Sequence, residues 1–271
     1  MEESPTPRQQ REIDYHQGHA ELHAELAQEI VDLDVVNNEK RRWWNAYWST
    51  YTTLQTMNLR DKKILVPGCG FAADAIRLAS LGGKIYAFDL STDILNIAKE
   101  RASINGYDDI NFELMPTEKL TCPDNFFDVV FFYDILHHVE IQQTMEEVCR
   151  VLKPGGIIMG CELYTHDILE NTIRKSTIVD KFLYPLMVKF IYGTSNTYIT
   201  EDEHKISDKE FELVTDKMVN FNVQYFNIFI GRLLPDRFTF WCKVDRLIAK
   251  CFGSKSRFLA GRVLFRGQAQ V

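Results

Sequence analysis

Three groups of residues in this 271-residue chain have types and spacings that could do chemistry. The first is Gly68-Cys69-Gly70, which follows the apolar run Ile64–Val66 and precedes a helical pattern. Glycines there permit a tight turn and let backbone approach a ligand closely, beside a helix N-terminus that favours anions and polar groups. The second is Asp89, 19 residues beyond Gly70 at the end of the next apolar run. A carboxylate at that position can accept hydrogen bonds from both hydroxyls of a ribose. It can also cap a helix, although Ser91 and Thr92 serve that purpose as well. The third is His137-His138, after the run Phe127–Tyr133. Imidazole titrates near neutrality, so either histidine is a candidate general base, or else a backbone-bonding residue of a turn.

The elements that must position these groups follow from periodicity. Short apolar strands are expected at 63–66, 84–88, 110–115, 127–133 and 156–163, with helices at 72–81, 92–104 and 141–152 between them. Strands alternating with helices predict a parallel, doubly wound α/β sheet whose ligands lie beyond the strands' carboxyl ends. Phe127–Tyr133 is almost wholly apolar, which suits a strand buried on both faces. Further on, a helix at 208–216, a strand near 222–226, a helix at 238–252 and a closing strand at 262–266 are expected. Residues 1–11 read as unstructured. From Glu12 to Asn58 the pattern is helical, with Leu22, Leu26, Ile30 and Leu33 as its apolar face. This divides the chain into an N-terminal helical cap, 1–58, and an α/β domain, 59–271, with lid insertions near 164–206 and 227–258.

The order ILVPGCG, IYAFDLS, FDVVFFYDILHHV and EEVCRVLKPGG over residues 60–163 resembles the class I S-adenosylmethionine-dependent methyltransferases, particularly those with FDxV, LHH and RVLKPGG motifs. The resemblance implies a Rossmann-like seven-stranded sheet and S-adenosyl-L-methionine as cofactor, with S-adenosyl-L-homocysteine as product. It implies that Gly68, Cys69 and Gly70 lie under the methionine part and that Asp89 binds the ribose. Leu90 would pack on adenine, Pro116-Thr117-Glu118 would edge that ring, and Tyr133 would offer backbone atoms to the methionine amine. Two positions depart from the family: Val66 replaces an acid and Ala72 replaces a third glycine. The glycine loop and Asp89 alone would also suit a nicotinamide-dependent oxidoreductase. A cofactor-binding protein whose chemistry is lost or is not methyl transfer is a third reading.

On the acceptor side, Tyr15, Trp43, Asp134, Glu162 and Tyr164 are candidate substrate-binding residues, with His137 and His138 as candidate bases. Glu162 could orient an acceptor or pair with a nearby base. Trp43 and Trp44 cannot both face inward on one helix, so one is free to line a pocket entrance. His16, His19 and His23 share a helix face but lack the carboxylate or cysteine partners of a metal site, so no metal is expected. The insertions are rich in bulky apolar groups, which points to a small hydrophobic acceptor, with oxygen the preferred attacked atom.

The net charge of −7 argues against a general nucleic-acid binder. Nine of the eleven charged residues in 1–34 are acidic, whereas eight of ten in 235–271 are basic. Basic residues among aromatics there fit either a helix with one solvated basic face, the preferred reading, or a helix lying on a membrane surface. Six cysteines without paired spacing read as reduced thiols. The polar start and the lack of an apolar run of about 18 residues predict a cytoplasmic chain with no membrane span.

Overall fold

A computed structural model describes residues 5–166, 205–228, 234 and 237–270. Seven strands form one sheet in the order β3-β2-β1-β4-β5-β7-β6. The strands are β1 (Lys63–Pro67), β2 (Lys84–Asp89), β3 (Asn111–Leu114), β4 (Phe127–Tyr133), β5 (Leu152–Leu163), β6 (Met218–Phe226) and β7 (Arg262–Ala269). β1 to β5 run parallel, while β7 enters antiparallel between β5 and β6. A dinucleotide-binding sheet has the order 3-2-1-4-5-6. The antiparallel β7 inserted beside β5 therefore separates this architecture from the oxidoreductase alternative and gives it the class I methyltransferase topology.

The helices are α1 (Pro7–Leu22), α2 (Asp34–Asn37), α3 (Ala46–Gln55), α4 (Ala73–Ser80), α5 (Thr92–Ile104), α6 (Ile141–Val151), α7 (Asp208–Thr215) and α8 (Thr239–Phe252), with 3₁₀ turns at Ala24–Gln28, Leu136–His138 and Gly253–Leu259. β4 and α5 occupy the expected residues. β5 begins earlier than expected because the Lys-Pro-Gly-Gly segment already pairs, Leu152 lying opposite Phe127 before a register shift.

Two expectations for the N-terminus are corrected. Residues 7–11 are helical, because Thr6 and Gln9 form a capping box with Pro7 at the first turn. The expected apolar face enters the core only at Leu33, while Leu22 and Ile30 are exposed. Instead the segment divides in function. Val31, Val35, Trp48, Tyr51, Leu54 and Leu59 pack into one continuous core with Ile64, Ala75, Ile76, Phe131 and Met159. α1 lies apart from that core, across the carboxyl ends of the strands. The opposite sheet face packs Leu65, Phe132, Met145, Val148, Phe211 and Phe265. Most of the expected lid at 164–206 and part of that at 227–258 lie outside the described residues.

Candidate active site

The glycine loop leaves β1 and turns into α4. Gly68 has φ +59°, and a Cβ there would run into the Ile135 side chain, so both backbone sign and space demand glycine. Gly70 has φ +50° but nothing within 4 Å of a built Cβ, which leaves its outer side open to a ligand. Cys69 N–H donates to the Phe88 carbonyl at 2.8 Å, tying the loop to β2. Ala72 takes the left-handed conformation at φ 61°, and α4 starts there without a side-chain cap. The glycine missing from that position thus has a conformational cost, since non-glycine residues adopt this region with about 1–2 kcal/mol of strain.

Asp89 is buried at the end of β2. Its Oδ2 accepts from Gly70 N–H at 3.0 Å and its Oδ1 from Ser91 N–H at 3.1 Å. Ser91, not Asp89, caps α5 by accepting from Ile94 N–H. A carboxylate offers about four acceptor sites; the Leu90 N–H also acts on Asp89, which leaves acceptor capacity for a ribose hydroxyl. Burial raises the Asp89 carboxyl pKa, opposed by His16 and by the N–H groups of Ser91 and Gly70. Leu90, Pro116 and Glu118 are half-buried and Thr117 is buried beside it. Glu118 accepts from Gln9 at 3.3 Å and from Glu140 N–H at 3.2 Å.

α1 spans this edge by a series of contacts. Arg8 pairs with Glu140 at 3.0 Å, Glu12 faces His138 at 3.3 Å, and the His19 ring meets Phe71 edge-on at 5.3 Å. The histidine stripe therefore faces the glycine loop. Burial lowers the His19 pKa, helped by His23 and His16. Glu12 is only 3% exposed; its Oε2 lies 3.3 Å from His138 Nδ1, while its Oε1 and Nδ1 of His16 are buried without a hydrogen bond. Burial alone would raise the Glu12 pKa, but His138, then His16 and Arg8, hold it below the usual carboxylate value. Buried polar atoms without partners are rare and costly. Their concentration beside Asp89 and the glycine loop is what a polar ligand of that edge would relieve.

The two histidines are not equivalent. His137 is buried, with Nδ1 2.9 Å from Glu162 Oε2. Glu162 is wholly buried and also accepts from the N–H groups of Ile135 (2.6 Å) and Leu136 (2.8 Å). Its carboxylate thereby ties the turn after β4 to His137. Tyr164 is buried against Phe211 and Tyr225 and its hydroxyl bonds Asp208. Asp134, at φ 51°, is held bidentately by Arg262 at 2.8 and 2.9 Å. Arg262 opens β7, so it closes β4 to the C-terminal strand. His138 keeps an 18% exposed side chain.

Trp43 lies under Lys250, 4.9 Å from ring to amine, and Trp44 under Lys243. The aromatic that meets Tyr133 is Tyr47, at 5.1 Å. Tyr47 and Tyr51 both donate to Asp74 Oδ1 in the first turn of α4, at 2.6 and 2.7 Å, and Arg77 joins them. Burial raises the pKa of Tyr133 far above its ordinary value, so it stays a phenol. Tyr15 is half-buried on α1 between His16 and His19. Glu12, Asp74 and Arg262 were not singled out from the sequence. Asp74 had a signal, the first turn of the helix after the glycine loop; Arg262 had none.

Residues 65–160 match the protein family described as methyltransferase domain. The chain is 28% identical over 153 residues to a demethylmenaquinone methyltransferase of Clavibacter sepedonicus, covering 56% of this chain and 61% of that protein. It is 34% identical over 100 residues to a ubiquinone biosynthesis O-methyltransferase of Colwellia psychrerythraea, covering 36% and 40%. The matched stretches thus span less than two thirds of these relatives' own length. Among solved structures, the [4+2]-cyclase SpnF superposes with TM-score 0.57 at 18% identity, over 99% of this chain and 98% of that one. A phosphoethanolamine N-methyltransferase of Haemonchus contortus, solved with phosphomonomethylethanolamine and S-adenosylhomocysteine, superposes with TM-score 0.56 at 16% identity, over 82% and 51%. These likenesses show the class I methyltransferase fold.

Proposed function

We propose that the chain transfers a methyl group from S-adenosyl-L-methionine to an oxygen of a small hydrophobic acceptor. The observation that carries this reading is Asp89: a buried carboxylate at the end of β2, bonded to the Gly70 amide and retaining acceptor capacity, inside a matched methyltransferase domain. The unbonded Glu12 Oε1 and His16 Nδ1 near the same edge fit a polar cofactor. Asp89 would hold the ribose, Gly68 to Gly70 would underlie the methionine part, and Leu90 with Pro116, Thr117 and Glu118 would hold adenine. Tyr133 would contribute backbone atoms to the amine. The cofactor supplies an activated methyl sulfonium. What remains for the protein is to align the acceptor, exclude water and accept a proton.

His138 is the better of the two candidate bases, because Glu162 already engages His137 in the fold. Glu12, 3.3 Å from His138 Nδ1, would orient the ring as a positioning residue. α1 would exclude water by closing over the strand ends. The ubiquinone biosynthesis O-methyltransferase among the relatives supports oxygen as the attacked atom. The decisive experiment has two parts. Calorimetry should show S-adenosylhomocysteine binding and no binding of NAD. Labelled methyl from S-adenosylmethionine should then appear on an apolar catechol or hydroquinone. Binding without transfer to any hydroxyl would favour the reading as a cofactor-binding protein with other chemistry, to which the fold likeness to a cyclase draws attention.

A further inference from the structure

We infer that the outward face of α8 is a docking surface for an anionic phospholipid bilayer. The inference starts from an inverted helix. At about 100° per residue, Phe240, Val244, Leu247 and Cys251 of α8 fall on one stripe, with Trp241, Ile248 and Phe252 along one flank. The buried side of the helix is the opposite one: Cys242, Asp245, Arg246 and Ala249. Its charged groups are consumed inside the protein. Asp245 accepts from Ile228 N–H at 3.0 Å. Arg246 donates to the Tyr225 carbonyl (2.9 Å) and Gln224 (2.6 Å), and its guanidinium stacks on Phe226 at 3.9 Å.

The large apolar side chains are therefore on the outside. Phe240 is 66% exposed, Phe252 57%, Leu247 51% and Trp241 48%, and Phe238 and Phe258 beside them are exposed too. Single exposed apolar residues are ordinary, but a contiguous cluster marks an interaction site. The outward side of α8 is thus apolar at its centre, with Lys243 and the exposed Lys250 along one flank.

The rim identifies the occupant. Arg237 and Arg257 lie over Phe238 and Phe258, Lys243 and Lys250 flank the helix, and Lys255 follows in the next turn, in a chain whose net charge is −7. Lys243 and Lys250 occupy the flank opposite Trp241 and Phe252, held over the Trp44 and Trp43 rings. Aromatic and leucine side chains at the centre with basic amines at the edge are the composition of a helix lying in a lipid interface. Basic residues there are attracted to anionic headgroups. Among the described residues no helix is long and apolar enough to cross a membrane, so the contact is peripheral. The surface also adjoins the candidate active site. The turn Gly253–Leu259 leads into β7, whose first residue Arg262 binds Asp134 at the carboxyl end of β4. A hydrophobic acceptor would then reach the site from the bilayer; this last step alone rests on the proposed function.

The test uses the full chain and sedimentation with vesicles. It should pellet with phosphatidylcholine vesicles containing phosphatidylglycerol and remain in solution with phosphatidylcholine alone. Phe240→Ser combined with Leu247→Ser should lower partitioning at least tenfold. Lys255→Gln should lower it on the order of fivefold. An environment-sensitive fluorophore on the exposed Cys251 should shift to the blue with anionic vesicles. Unchanged thermal unfolding in both variants shows that the fold is intact. No pelleting with anionic vesicles, or pelleting that survives the double variant, overturns the inference. So does a concentration-dependent dimer abolished by Phe240→Ser, which would assign the face to a second copy.

Discussion

The two ends of the sheet treat polar groups in opposite ways. At the amino end Asp128 accepts from Lys63 N–H at 2.9 Å and from Lys153 Nζ at 2.8 Å. Arg150 reaches Glu147, Asp124 and the carbonyls of Leu120 and Cys122, so all three of its nitrogens are engaged. At the carboxyl end, Glu12 Oε1 and His16 Nδ1 are buried without hydrogen bonds and Glu12 Oε2 meets only histidines, around an Asp89 that keeps acceptor capacity. The amino end is a completed scaffold. The carboxyl end carries unrelieved desolvation, which a bound ligand can remove and an empty protein must tolerate. The pKa directions agree: Asp128 is lowered, because the bonds from Lys153 and Lys63 outweigh its burial, whereas burial raises Asp89.

The largest expected break in this contrast is Asp89→Asn. It should weaken S-adenosylhomocysteine binding at least 100-fold, about 2.7 kcal/mol, without lowering Tm; calorimetry and thermal unfolding measure the two together. A marked fall in Tm would make Asp89 a scaffold residue like Asp128. Next, His138→Ala should reduce kcat about 100-fold while cofactor affinity holds, and His137→Ala should instead lower stability through the Glu162 anchor. Glu12→Gln should cost about tenfold in kcat and move the pH–rate profile of the reaction, which a purely structural carboxylate would leave in place.

Asp128→Ala should do the reverse of Asp89→Asn: a loss of about 2 kcal/mol in stability, read by denaturant unfolding, with cofactor affinity unchanged. Its folded pKa is depressed, so this stabilisation is present above the ordinary carboxylate pKa and disappears as pH falls through the lower folded value. The gap between wild type and Asp128→Ala should therefore close in acid. Asp89 has the opposite sign: its raised pKa makes the folded state favour the proton, and its destabilising influence grows as pH rises through the folded pKa. The smallest effect is at Ala72→Gly. Relief of about 1–2 kcal/mol of left-handed strain outweighs about 0.8 kcal/mol for the buried methyl, so a gain of about 0.5 kcal/mol is expected by chemical denaturation. A loss would show the methyl packing to dominate.

The motifs that made the chain legible belong mostly to the scaffold end. Phe127-Asp128 and Arg150 to Gly156 are recognisable because Asp128 must meet Lys153 to join β4 to β5, and Arg150 must meet Glu147 and Asp124 to tie α6 to the segment before β4, which constrains residue type at a constant spacing. The start of the N-terminal helix had a signal that the reading of 1–11 as unstructured missed: Thr6-Pro7-Arg8-Gln9 spells a capping box. The inward face of that helix had none, since Glu12 and the histidines turn toward strand ends rather than a hydrophobic core, and apolar periodicity points elsewhere.

Sequence alone determined the alternation of β1 to β5 with their helices, the glycine turn and the acid at the end of β2. These depend on local periodicity, on glycine's access to positive φ and on contacts between successive elements. Only the tertiary structure decided which of the neighbouring histidines is sequestered by Glu162, that Glu12 faces the other, and that Arg262 rather than a substrate holds Asp134. It alone turned the apolar face of α8 outward. Each of these pairs residues far apart in the chain, or depends on which side of a helix is already covered, and neither leaves a period or a spacing to read.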